Sequence, residues 1–367
     1  YQSLYANITG SYNTANGARA LYSNTSQSYN TADGYKALYS NTGGSHNTAT
    51  GVNALMSNTD GSDNTANGFE ALKANITGNY NTAVGYKALW SNVDGTSNTA
   101  IGSNALVNNV SGIWNTGIGD STLFNNTNGL YNTAIGVGAA MHTNNSSYNV
   151  AVGAAALYNN ISGTSNTAGG AYALYSNSSG NDNVAIGVYA LYSNSSGNNN
   201  VAIGDSAGFF VTGSNNVFIG NKAGYNETGS NKLYINNDPS NNPLIYGDFD
   251  AGFIGIKTNQ PFSPLSIDPT NFGAKVSLFS IGNSDHCGFG VSSNQLNYHI
   301  PNSTYSNIFY AGGINGNGNE LMRITGNGNV SIGASSAPAM LTVNGSVLIG
   351  DPTKITQLRP GYKLYVP

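Results

Sequence analysis

The chain has 367 residues, enough for two domains, but only 8% are charged, against about 25% in ordinary soluble proteins, which argues against a typical cytosolic enzyme. A net charge of −4 without any basic cluster excludes nucleic-acid binding, because neutralising phosphates takes several Lys or Arg on one face. No run of about 18 apolar residues is present, which excludes a membrane-spanning helix. The single cysteine, Cys287, leaves neither a disulfide framework nor a thiolate metal site within one chain, and no cofactor is expected.

Residues 1–12 read as the tail of a repeat, since Leu4 and Asn7 precede Leu21 and Asn24 by 17 positions. From Asn13 to Asn200 a 17-residue unit, roughly N-[TV]-A-x-G-x-x-A-L-x-x-N-x-x-G-x-x, recurs twelve times without insertion or deletion. Two shortened copies carry the array to residue 236, with spacings of 16 at Asn216 and 15 at Asn231. An unbroken period of this size is the mark of stacked, equivalent coils. Each unit offers two strand-like pieces, N-T-A-x-G and A-L-x-x-N, separated by turn-formers, and glycine in every copy argues against helix. The expected fold is all-β, a parallel β-solenoid or β-roll of 17-residue coils followed by a smaller C-terminal β domain. Twelve coils about 4.8 Å apart would rise roughly 58 Å.

Equal positions in successive coils must lie above one another, so the repeat predicts columns. Asn13 and its equivalents form an amide ladder. The Thr14 column, in which Val enters at Val150, Val184 and Val201, is expected half-buried, and the Ala15 column should face the opposite side, where only small residues fit. The Asn16 column drifts from polar (Asn16, Asp33, Thr50, Asn67) to apolar (Val84, Ile101 through Ile203), so the N-terminal third is wetter. The large residues of the Tyr22 column read as a packing stack in preference to a sugar-binding stripe. A coil whose inner face is Ala and Gly buries little on its own, which favours three chains wrapped around one axis, with a single-chain roll as the alternative. The asparagine column at Asn7, Asn24, Asn75, Asn109, Asn160, Asn177 and Asn194 reads N-x-[ST], making these candidate glycosylation sites.

Residues 237–269 form a proline-bearing transition, and 270–367 lose the period but keep strand-like segments, indicating a compact antiparallel or interwoven β domain. Ser284, Asp285, His286 and Cys287 are adjacent, yet neighbours on a strand face opposite sides, so they make no ready triad. The stretch from Gly312 to Asn319 reads as a loop tip; it lacks the Lys and strand-to-helix context of a phosphate cradle.

The units Asn183-Val184-Ala185-Ile186-Gly187 and Asn200-Val201-Ala202-Ile203-Gly204 resemble the head repeats of trimeric autotransporter adhesins and phage tail-fibre shafts, although the period of 17 is longer than in those heads. Phe253-Ile254-Gly255-Ile256 with Pro261 and Leu265-Ser266-Ile267 resembles the V-G-I-G…P…L-x-V unit of bacterial tail-fibre-domain proteins. Val330-Ser331-Ile332-Gly333 with Pro338 and Leu341-Thr342-Val343 is a second copy, and a degenerate third begins at Val347. The resemblance implies parallel β-rolls in trimers, with a self-cleaving chaperone domain that follows such a unit.

The functional expectation is therefore a structural fibre, extracellular, on a cell surface or virion-associated, homotrimeric, and serving adhesion to a cell-surface glycan or protein receptor. Trp90, Trp114, Tyr131 and Tyr148 are the candidate ligand contacts. An alternative is a glycosylated surface filament stacking head to tail. A polysaccharide depolymerase would need paired carboxylates on adjacent coils. Asp60 and Asp120 occupy unrelated positions, and Asp63 and Asp182 lie seven coils apart, so no catalytic residue is assigned. An ice-binding face is weakly supported, because Val interrupts the Thr column.

Overall fold

The computed structural model describes residues 1–239, 243–261, 263–267, 273–280, 286–292, 295–299, 306–311, 319–333, 336 and 341–343. The described residues are all-β with no helix. The chain divides into two compact units, Tyr1–Ile267 and Asp268–Pro367.

The first unit is a parallel β-solenoid. Thirteen three-residue strands, from β1 (Thr14–Asn16) to β13 (Val217–Ile219), stack one per coil, each paired in parallel with the next and in register at equivalent residues, as in Thr14↔Thr31 and Ala15↔Ala32. Alternation along each strand turns the middle residue inward: Ala32, Ala49 and Ala66 are fully buried while the flanking Thr31, Asp33, Thr48 and Thr50 are exposed. The Thr14 column thus lies on the outer face, exposed in the early coils and half-buried from Thr82 onward, except at the exposed Val150.

Only one strand forms per coil; the A-L-x-x-N piece is a run of turns. Arg19, Leu21 and Tyr29 and most of their equivalents have φ between +47° and +62°, a left-handed conformation that bends the chain back on itself. Each such non-glycine residue costs about 1–2 kcal/mol, and the cost is offset because the turn segment still bonds coil to coil, with Leu21 N–H donating to Ala37 O (3.0 Å) and Ser23 N–H to Tyr39 O (3.0 Å). The glycine ending each strand is obligatory. Gly102 has φ +137°, and a Cβ there would sit 2.4 Å from the Gly119 carbonyl oxygen.

The core closes within a single chain. Beyond the partly buried Leu4 and Ala15 of the first coils, the alanines of the two Ala columns and the leucines of the Leu21 column are buried to 0–1% exposure, and two asparagine ladders form the remaining inner walls. In the Asn13 ladder, Asn47 N–H donates to Asn30 Oδ1 (3.0 Å) and Asn47 Nδ2 donates to Gly61 O (2.8 Å). In the Asn24 ladder, Asn58 Nδ2 donates to Asn41 Oδ1 (2.9 Å) and to Gly61 O (2.8 Å). Small residues are thereby explained inside one coil, which removes the sequence-level argument that they call for three chains.

Departures from the repeat come in compensating sets. Thr122 replaces an inward Ala where the facing strand residue is Gly117, whose Cβ would meet Thr122 Oγ1 at 2.9 Å. Phe218 replaces an inward Ala where Gly208 and Gly224 stand in the Leu column and leave room for its ring. Thr143 interrupts the Asn24 ladder, orphaning Asn126 Oδ1, and Ser146 Oγ in the same coil takes the bond from Asn160 Nδ2 at 3.0 Å.

The array ends in antiparallel pairing. β14 (Lys232–Ile235) lies parallel to β13 with Leu233 opposite Val217, a spacing of 16, so Lys232 and not Asn231 takes the ladder position. Lys232 N–H accordingly donates to Asn216 Oδ1 (2.9 Å), whereas Asn231 belongs to the column of Asn215. β15 (Ile245–Asp248) and β16 (Phe253–Ile256) add antiparallel, then β17 (Leu265–Ile267) parallel to β16. Lys232 and Asp248 form an ion pair across this edge at 2.8 Å. Most of the proline-bearing transition is thus the cap of the solenoid unit.

In the second unit, β18 (Gly273–Ser280), β19 (His286–Ser292) and β20 (Gln295–His299) form an antiparallel sheet. β21 (Ser306–Ala311), β22 (Asn319–Thr325) and β23 (Val330–Ile332) pair antiparallel, and β24 (Leu341–Val343) pairs parallel to β23. That order of pairings repeats the one from β14 to β17. Both V-G-I-G-like units join their last two strands with the same offset, Ile254↔Leu265 and Val330↔Leu341. Ser284, Asp285, the 312–318 stretch and the copy beginning at Val347 lie outside the described residues.

Candidate interaction surface

Three of the four aromatic residues singled out in the sequence occupy one column, and the fourth lies elsewhere. Trp114, Tyr131 and Tyr148 each precede a ladder asparagine, at a left-handed residue whose side chain is thrown outward; they are 42–59% exposed. Their rings stack with centroids 4.7 and 5.1 Å apart. Stacking fixes what this ridge can do. Ring faces are covered by neighbours, leaving edges, hydroxyls and the outer faces of the end rings, so a sugar cannot lie flat along its length. The same column opens with another three-ring stack, Tyr12, Tyr29 and His46.

Trp90 belongs to the Tyr22 column and is half-buried. Its indole N–H donates to Glu70 Oε2 (3.0 Å), Lys73 pairs with Glu70 Oε1 (2.6 Å), and the ammonium groups of Lys73 and Lys87 sit 5.7 and 5.8 Å from its ring centre. Burial alone pushes the Glu70 carboxyl up, but the bonds from Lys73 and Trp90 and the two lysine charges outweigh it and hold the group below its usual value. These contacts commit Trp90 to packing. Elsewhere the column stacks in two runs, Tyr5–Tyr22–Tyr39 and Tyr158–Tyr175–Tyr192–Phe209–Tyr225, as the sequence suggests.

The candidate glycosylation column points into the protein. Asn24, Asn75, Asn109, Asn160, Asn177 and Asn194 are fully buried, and their Nδ2 atoms, to which a glycan would be joined, donate within the ladder, as Asn75 does to Asn58 Oδ1 (2.7 Å) and Gly78 O (2.9 Å). Asn7, in the first turn of the array, is half-buried and donates to Gly10 O (3.0 Å). The folded coil has no room for a sugar at the six buried positions. An N-x-[ST] triplet arises there because the ladder demands Asn and the following exposed corner tolerates Ser and Thr.

Two further surfaces emerge from the fold, the first on a column whose apolar drift the sequence already shows. Along the outer sheet face, the Asn16 column becomes a strip of partly exposed aliphatic residues, including Ile101, Ile135, Val152, Ile186, Ile203 and Ile219. On another side, the Ser23 column and the column two residues after it border an open groove of about 710 Å³. There, four successive coils carry Asn108, Asn125, His142 and Asn159 where most others have Ser. That local departure was the available signal. Comparison with protein-family models and with curated proteins finds no match.

Proposed function

We propose that the solenoid is the shaft of an extracellular or virion-associated fibre that self-associates as a homotrimer and serves adhesion. The observation that carries this reading is the aliphatic strip on the outer sheet face. It runs from Val84 to Ile219 over nine coils, eight of them aliphatic and one, at Gly169, without a side chain, and Val150, Val184, Val201 and Val217 lie beside it. At about 4.8 Å per coil and a contact width near 10 Å, the strip offers roughly 400 Å² per chain. Two chains joined there would bury roughly 800 Å² in all and three around a common axis roughly 1,200 Å², the same area per chain in each case, so the strip supplies an apolar seam and the choice of three chains follows the resemblance to trimeric fibre repeats. The polar N-terminal coils, with Asn16, Asp33, Thr50 and Asn67 at the same position, would splay or stay solvated.

The antiparallel strands covering the last coil disfavour the head-to-tail filament at that end, since an open strand edge is what such stacking needs. The test is the molar mass of the native particle by light scattering. Three times 37.9 kDa supports the shaft reading, and a single chain at all concentrations overturns it.

A further inference from the structure

We infer that the groove spanning the coils from Ser91 to Asn159 binds an extended, neutral, hydroxyl-rich chain, a linear β-linked glycan lying along the coil stack. The inference deepens the adhesive role proposed above and rests on that reading. In the Ser23 column, serine stands at Ser23, Ser40, Ser57, Ser91, Ser176 and Ser193, but the four successive coils between them carry Asn108, Asn125, His142 and Asn159. All four of these side chains are half-buried along one side of the groove, and Val110, Thr127, Asn144 and Ile161 line the other. Its volume falls within the roughly 300–1,000 Å³ of ligand clefts.

Internal bonds orient the polar groups. Asn108 Nδ2 donates to Asn125 Oδ1 (3.2 Å), and Asn125 Nδ2 stands 3.0 Å from His142 Nδ1, which then accepts and leaves the imidazole proton on Nε2. Among the described residues no protein group takes Asn108 Oδ1 or the Asn159 side-chain amide. The four polar side chains recur once per coil, about every 4.8 Å, and Asn108 Oδ1 and the Asn159 amide stand open to a ligand at the two ends of the row. Successive units of an extended β-linked glycan advance by a similar step and present a hydroxyl at each. No charged side chain lines the groove, so nothing selects an acidic or basic ligand, while Val110 and Ile161 offer apolar surface to the C–H faces of sugar rings.

The test is calorimetric titration of the full chain with cello- and chito-oligosaccharides from disaccharide to octasaccharide, with coiled malto-oligosaccharides as the control geometry. Affinity should rise with length until about five units, one for each coil from Ser91 to Asn159, and then level off. The variant Asn108→Ser/Asn125→Ser/His142→Ser/Asn159→Ser restores the residue usual in this column, so the coil should still fold. It should bind at least about tenfold more weakly, as the loss of several hydrogen bonds demands. Asn159→Ser alone gives a milder loss. Absence of binding to both extended series overturns the inference, as does equal binding by the fourfold variant or equal affinity for the coiled series. Failure of the shaft reading shows separately, as a single-chain mass in a protein whose groove still binds.

Discussion

Thr143 and Ser146 make a sharp test of the ladder energetics, because they replace the usual Asn and Gly of one coil together. Thr143 Oγ1 and Asn126 Oδ1 are buried without a partner, at about 1–3 kcal/mol for each unmade bond. Ser146 Oγ meanwhile accepts from Asn160 Nδ2 at 3.0 Å and, more weakly, from Asn149 Nδ2 at 3.4 Å. Ser146→Gly alone removes those bonds and should cost about 1 kcal/mol. Thr143→Asn alone gives Asn126 a donor but crowds Ser146: in neighbouring coils, a Cβ at the equivalent glycine lies 2.2–2.7 Å from the ladder Oδ1, as at Gly129 and Gly44. Gln27 beside Asn24 shows that such crowding can be absorbed near the end of the stack, so the single change should be near neutral or mildly destabilising. The double variant restores the unbroken ladder seen in other coils, where bonds such as Asn58 Nδ2 to Asn41 Oδ1 recur. It should gain about 1–3 kcal/mol, a coupling of about 2–4 kcal/mol between the sites. Urea and thermal unfolding of the four proteins would measure this, with Tm moving by about 2–4 °C per kcal/mol in a unit of this size. Additivity within about 0.5 kcal/mol, or a double variant weaker than both singles, would refute the ladder argument.

Gly102→Ala should destabilise by about 3 kcal/mol or more, since the new Cβ meets the next coil's backbone and the φ is closed to alanine; chemical denaturation reads it directly. Acid should loosen the ion-paired sites. Lys232 and then the Ala251 and Asp250 backbone N–H groups hold Asp248 below its ordinary value, and Glu70 is likewise depressed. Their stabilisation is complete above the unfolded value of 4.5 for Glu70 and is lost as pH falls through the lower folded values. A pH series of Tm on the parent and a Glu70→Gln variant should therefore converge in acid; parallel curves would contradict the assignment. Peptide mass spectrometry of chain expressed in a glycosylating host should find Asn24, Asn75, Asn109, Asn160, Asn177 and Asn194 unmodified in the folded fraction.

Much of the coil was legible in the sequence. The period set the register, and the N-[TV]-A-x-G piece became the strand with its Ala turned inward. The second strand was misread because A-L-x-x-N has the composition of a strand, and nothing in a leucine announces a left-handed φ that only coil-to-coil bonding sustains. The triplet N-x-[ST] recorded a structural asparagine beside a polar corner, so a motif with a chemical meaning elsewhere was here a by-product of the ladder. Trp90 stands in a column legible as packing, but its partner Glu70 was not legible, lying 20 residues away, one coil back and on a neighbouring column. The cap from Lys232 onward shifted by one residue because a lysine backbone N–H substitutes for that of asparagine at the ladder's end. Burial by one chain was also hidden: sequence shows that a face is small, not which wall it meets.

The seam between chains is the central claim, and the most direct measurement is the native molar mass of an Ile135→Thr/Ile186→Thr/Ile203→Thr variant beside the parent, with Tm recorded for both. Thr50 already occupies this column and faces solvent, so the coil itself tolerates the change. The account predicts a three-chain parent and a folded, single-chain variant. A variant that keeps three chains, or a parent that is already a single chain, would contradict it.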